Sequence, residues 1–132
     1  MARILLIEDS ADFRDALSRF LGKAGHEVTS VSNGREGLAK VLAEPPDLIL
    51  TDVQMPELDG PSFLEDGPSF LEVVRSYLRM YSVPVVVLTG IEDGPLLDRT
   101  RAQKVNSILV KGKASLDDIL KAVDEALVTL PT

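Results

Sequence analysis

Four short apolar runs in this chain each lead into residues able to carry chemistry. Glu8 and Asp9 follow Ile4–Ile7, Thr51 and Asp52 follow Leu48–Leu50, Thr89 and Gly90 follow Val85–Leu88, and Lys111 follows Ile108–Val110. Singly, each has an ordinary use: an acid at such a place caps the next helix, a lysine is solvated, a threonine sits in a turn. Jointly they supply three carboxylates, two threonine hydroxyls and an ammonium. If the runs are strands of one open parallel sheet, these groups converge on its carboxyl edge, where such sheets bind ligands. Crowded carboxylates repel one another unless a cation sits among them. Oxygen donors without His or Cys favour a hard ion, Mg2+ before Zn2+. Mg2+ bound by few carboxylates keeps positions open for phosphate oxygens.

The elements that must position these groups are legible from hydrophobic patterning. The four runs lack polar alternation, as strands covered on both faces do. A further segment, Glu27-Val28-Thr29-Ser30-Val31, does alternate and reads as an edge strand. Phe13, Ala16, Leu17, Phe20 and Leu21 recur at helical spacing, with Ser10 as the cap and Gly22 and Gly25 where the helix should stop. Leu38, Val41 and Leu42 mark a second helix, ended by Pro45-Pro46. The last helix starts at Ser115-Leu116-Asp117-Asp118, a capping-box spacing with Asp in place of Glu, and its apolar face is Leu116, Ile119, Leu120, Val123 and Leu127. A weaker helical pattern spans Pro95 to Val105. Alternating strands and helices with short connections imply right-handed crossovers. The expected fold is α/β, a flavodoxin-like (βα)5 doubly wound sheet with five parallel strands in order 2-1-3-4-5.

Composition sets bounds on partners. With 132 residues the chain holds one domain with a real core, residues 1–132. Acids outnumber bases, 21 to 14, and no Lys/Arg cluster appears, which argues against direct nucleic-acid binding. The apolar runs are far shorter than a membrane span and no leader pattern opens the chain. There is no cysteine, hence no disulfide, thiolate metal site or cysteine nucleophile. The expectation is a cytoplasmic protein without membrane contact.

The residues at the strand ends resemble, over essentially the whole chain, the receiver domains of bacterial two-component response regulators, in particular the chemotaxis-type, stand-alone receivers. The matching pieces are Ile7-Glu8-Asp9, Asp47-Leu48-Ile49-Leu50-Thr51-Asp52 with Met55-Pro56-Glu57-Leu58-Asp59-Gly60, Leu88-Thr89-Gly90 and Val110-Lys111. The middle piece, an Asp followed by Met-Pro and Asp-Gly, is the most specific. The resemblance implies that Asp52 is the phosphoacceptor, taking a phosphoryl group from a histidine kinase or phosphotransfer protein. It implies that Asp9 and Asp52 ligate Mg2+ directly, with Glu8 acting through water and the Gln54 backbone carbonyl completing the set. Lys111 and Thr89 would contact phosphoryl oxygens. A downstream protein target would meet the face of the fourth helix, fifth strand and fifth helix, the chain being a monomer or a weak phosphorylation-dependent dimer. No output domain is expected after the last helix, although a fragment of a longer protein would read the same way.

Two departures bear on the switch. The family's aromatic residue on strand five is replaced by Ile108, and the usual Lys-Pro after that strand is Lys111-Gly112 here. Ile91 and Gln54, two residues after Thr89 and Asp52, would tune hydrolysis of the acyl phosphate. The altered switch leaves open a pseudo-receiver that binds partners without phosphorylation. From another class, Asp52-Val53-Gln54 faintly resembles the Asp-x-Asp motif of haloacid-dehalogenase-like phosphohydrolases, but Gln54 stands where that motif has its second acid.

Residues 59–72 repeat one heptad, DGPSFLE, without change. Removing either copy leaves MPELDGPSFLEVVRSYLR, an uninterrupted receiver stretch, so the repeat reads as a seven-residue tandem duplication at the start of helix 3. A continuous helix would place Pro68 in its interior at a cost of about 3 kcal/mol. The expected arrangement is a helix starting at the second copy, Pro68 at its first position, with the first copy as an enlarged loop.

Overall fold

Successive residues of a strand point to opposite faces, and the central strands use both. The computed structural model describes residues 2–52, 83–90, 98, 101 and 105–128. In it Arg3–Ile7 form β1, Glu27–Val31 β2, Leu48–Thr51 β3, Val85–Thr89 β4 and Ser107–Val110 β5. Leu5, Ile7, Ile49, Val85 and Val87 build one core layer with Val31 and Val41. Ile4, Leu6, Leu48, Leu50, Val86 and Leu88 build the other, against Leu17, Leu21, Ile119, Ala122, Val123 and Ala126. Two apolar faces per strand explain why these runs show no polar alternation.

The sheet is parallel throughout with the order β2-β1-β3-β4-β5, as expected. Ile7 is paired with both Val31 and Thr51, and Thr89 with Val110. That register brings the carboxyl ends of the strands to one edge. β2 is the edge strand its alternation indicates, with only Val31 buried. β5 forms the opposite edge, as that order requires, but every residue in it is only half-buried, whereas its apolar run suggests cover on both faces. Its unbroken apolar run resembles that of a central strand because periodicity reports side-chain type, not position in the sheet.

Helix α1, Ala11–Lys23, is capped by Ser10, whose Oγ accepts from Phe13 N–H at 3.4 Å. It ends as the glycines indicate. Gly25 lies at φ 99°, Gly25 N–H donates to Gly22 O at 3.0 Å and His26 N–H to Leu21 O at 3.2 Å, closing a Schellman motif. Helix α2, Gly34–Ala43, is capped by Asn33, whose side chain accepts from Glu36 N–H at 2.9 Å. It buries Val41 and leaves Leu42, expected among the residues marking this helix, 46% exposed. The last helix, Leu116–Val128, has the reciprocal cap its sequence suggests: Asp118 N–H donates to Ser115 Oγ at 3.0 Å and Ser115 N–H to Asp118 Oδ2 at 2.9 Å. Its buried line is Ile119, Ala122, Val123 and Ala126, with Leu116, Leu120 and Leu127 only partly covered. The small alanines let the helix sit close to the sheet, which a reading of large apolar residues misses.

The repeated heptad and the helix expected after it lie outside the described residues, as do Gln54, Ile91 and most of the Pro95–Val105 segment. Within that segment Asp98 and Arg101 are helical and form an ion pair at 3.5 Å. Among the described residues no helix is long and apolar enough to cross a membrane.

Candidate functional site: an acidic cluster bridged by a lysine

Backbone hydrogen bonds continue the sheet ladder just past the strand ends and so carry the chemical groups into place. Glu8 N–H donates to Val31 O at 3.1 Å, Asp52 N–H to Ile7 O at 3.2 Å and Lys111 N–H to Thr89 O at 2.8 Å. Glu8, Asp9 and Asp52 each offer a carboxylate oxygen within 4.8 Å of the others. Glu8 and Asp52 are buried, Asp9 is exposed. Thr89 is fully buried at the end of β4. Thr51, buried beside the cluster, donates its hydroxyl to the Asp52 carbonyl at 2.9 Å and so serves the backbone.

Lys111 ties the cluster together. Its ammonium donates to Asp52 Oδ2 at 2.8 Å and stands 2.6 Å from Glu8 Oε1. The second contact is a close ion pair without hydrogen-bond alignment, so the buried Oε1 keeps an unused lone-pair direction. Glu8 Oε2 accepts from Ser10 N–H at 2.8 Å. Burial raises the Glu8 carboxyl above its ordinary value of 4.5, and the ammonium and the Ser10 N–H offset only part of that rise. For Lys111, burial pulls toward the neutral form, but the hydrogen bond to Asp52 and the contact with Glu8 outweigh it and hold the ammonium above its ordinary 10.5. One cation thus compensates two buried acids.

The donor set fits a small hard cation. All three candidate ligands present oxygen, the site contains no His or Cys, and the unaligned Glu8 Oε1 is a buried acceptor with remaining capacity. Gln54, expected to add a backbone carbonyl, lies outside the described residues. Gly112 after Lys111 has φ 87°, a conformation closed to proline. Lys113 and Ala114 N–H both donate to Val110 O at 3.0 Å, turning the chain sharply after the lysine. The Lys-Gly sequence therefore builds a turn different from any that Lys-Pro could make. Ile108 is half-buried and packs against the Leu5, Ile7 and Val87 layer.

Two residues beside the site were not singled out from sequence as site residues. Arg14 Nη1 donates to the Glu8 carbonyl at 2.8 Å, and Lys111 Nζ lies 5.5 Å from the centroid of the Phe13 ring. Phe13 enters the sequence reading only as part of an apolar stripe, and Arg14 has no place in it. Helical spacing from Ser10 does place both on the first turn of α1, which is the signal that was available.

Comparison with known proteins agrees with this geometry. The chain is 31% identical over 125 residues to protein PilH of Pseudomonas aeruginosa, covering 95% of this chain and 89% of PilH. It is 33% identical over 122 residues to a gliding motility regulatory protein of Myxococcus xanthus, covering 92% of this chain but only 15% of that protein. The structure superposes on the chemotaxis response regulator CheY4 of Vibrio cholerae with a TM-score of 0.79 and 29% identity, covering 96% of this chain and 98% of that one. The model of the response regulator receiver domain matches residues 4–124, which takes in the acid pair, Asp52, Thr89 and Lys111 together, and the chain therefore belongs to the response regulator receiver domain family.

Proposed function

We propose that this chain is a phosphorylatable signalling switch whose phosphoacceptor is Asp52. The observation that carries the reading is the Lys111 ammonium bridging buried Asp52 and Glu8 beside Asp9, at the carboxyl edge of a receiver sheet. The Asp52 carboxylate attacks the phosphorus of a phosphohistidine on a histidine kinase or phosphotransfer protein. The O–P bond forms as the P–N bond breaks, and the imidazole leaves with a proton from solvent. Lys111 pairs with one phosphoryl oxygen and the Thr89 hydroxyl donates to another. Such a loose transfer needs in-line placement and charge neutralisation more than acid–base groups. Asp9 and Asp52 would hold Mg2+, with Glu8 through water and the Gln54 carbonyl; when bound, the ion neutralises charge on the phosphoryl oxygens. The protein catalyses only its own phosphorylation and dephosphorylation. Residues 1–132 act as one receiver unit in the cytoplasm, and the output is protein contact through the face containing β5 and the last helix.

The test is incubation with Mg2+ and acetyl phosphate, read by intact mass and peptide mapping. A single modification confined to Asp52, and lost in Asp52→Asn, supports the switch. Steady turnover of the phosphodonor would indicate a phosphohydrolase, and no modification with no response to beryllofluoride a pseudo-receiver.

A further inference from the structure

The first turn of α1 reaches back to the site at two consecutive residues. Arg14 holds the backbone that carries the acids, through the Glu8 carbonyl. Phe13 faces the cation: Lys111 Nζ lies over its ring, 5.5 Å from the centroid, within the range of a cation–π attraction. The Ser10 cap anchors Phe13 by its N–H, and the half-buried ring packs against the layer of Leu17 and Leu21. The ring is therefore held from both its backbone and its side chain.

Among the described residues the ammonium has neighbours of two kinds: the carboxylates of Glu8 and Asp52, and the face of Phe13. Of these, the Asp52 carboxylate becomes an acyl phosphate in the reaction, and Glu8, which keeps its charge, is drawn toward a bound cation. Once Asp52 carries a phosphoryl group, and once a divalent cation shares Glu8, neither holds Lys111 as before. The ring's attraction depends on its quadrupole, which the reaction leaves unaltered. A lysine ends a flexible four-carbon stem with a strongly hydrated head. An aromatic wall restricts that stem and keeps water from one side of the head.

We propose that Phe13 is a positioning residue for phosphoryl transfer, its ring face holding the Lys111 ammonium in the site while the carboxylates exchange partners. The role rests on the phosphoacceptor reading of Asp52. Apolar filling alone would make Phe13 replaceable by any residue of similar bulk. Positioning through the cation requires an aromatic face.

The discriminating set is Phe13→Leu and Phe13→Met, which keep apolar bulk, and Phe13→Tyr, which keeps the face. With Mg2+ and acetyl phosphate, Leu and Met variants should be phosphorylated about three- to tenfold more slowly than the wild type, and Tyr should restore the rate to within about twofold. The Lys111 methylene protons next to the ammonium should show a ring-current shift in the wild-type and Tyr proteins that disappears in Leu and Met. In a Lys111→Met background, Phe13→Leu should cause no further slowing. Equal rates for Phe and Leu, failure of Tyr to restore the rate, or no ring-current shift in the wild type would each overturn the proposal. A wild-type protein that fails to react at all would overturn the phosphoacceptor reading and this role with it, whereas normal wild-type reaction with an indifferent Leu variant overturns the role of Phe13 alone.

Discussion

Lys111 Nζ stands 2.6 Å from Glu8 Oε1, joining the residue that leaves β5 to one that leaves β1, two strands separated in the sheet by β3 and β4. Together with the Lys111–Asp52 hydrogen bond at 2.8 Å, this contact makes one ammonium the counter-ion of two carboxylates that are almost wholly out of water.

Removing that counter-ion deprives both acids of its positive charge. Lys111→Met should lower the unfolding free energy in EDTA by about 1–3 kcal/mol, read from the urea midpoint at unchanged slope. Added Mg2+ should recover part of the loss. A midpoint equal to that of the wild type would show that the acids are compensated some other way.

Glu8 gives the metal-free protein a defined pH response. Its carboxyl is raised above 4.5, mainly by burial, so the folded state binds the proton more tightly than the unfolded chain. The resulting stability is fully present below 4.5 and is lost as pH rises through the higher folded value. The difference in unfolding free energy between wild type and Glu8→Gln, measured in EDTA, should therefore shift against the wild type as pH is raised from 4.5. A flat difference across that range would contradict the assignment.

The acid cluster should make stability depend on Mg2+. At ten times the dissociation constant, the wild type should gain about 1.4 kcal/mol by mass action, seen as a higher melting temperature that EDTA reverses. Asp9→Asn should remove most of that gain while changing the metal-free melting temperature little, because Asp9 is exposed. The same Mg2+ response in both proteins would place the ion elsewhere.

The start of the last helix depends on the reciprocal Ser115–Asp118 cap. Ser115→Ala should cost about 1 kcal/mol, and Ser115→Thr should retain most of the stability, both by urea unfolding. The main-chain Ser115 N–H, followed by the Ser115 hydroxyl, holds the Asp118 carboxyl below its ordinary 3.8. The stability of this cap is present above pH 3.8 and is lost as pH falls through the lower folded value.

Much of the architecture was legible because its causes are local. Unbroken apolar runs of four residues marked β1 and β4, Ser10 and Gly25 marked the limits of α1, and the spacing of Ser115 and Asp118 marked the last helix. The same local rules did not show that Leu42 is exposed on α2 or that β5 is only half-buried, because exposure depends on what packs opposite. They also passed over Ala122 and Ala126, whose value lies in smallness at a close contact.

The sequence by itself determined which groups reach the carboxyl edge of the sheet: Glu8, Asp9, Asp52, Thr89 and Lys111 each follow an apolar run, and a strand's end is where its next residue must emerge. Only the tertiary structure decided how they are paired. That Lys111 spans Glu8 and Asp52, that Arg14 grips the Glu8 carbonyl and that Phe13 lies beneath the ammonium all depend on strand register and on the rotamers of long side chains. Those are set by packing between residues up to about a hundred positions apart, over which residue type and spacing carry no directional information.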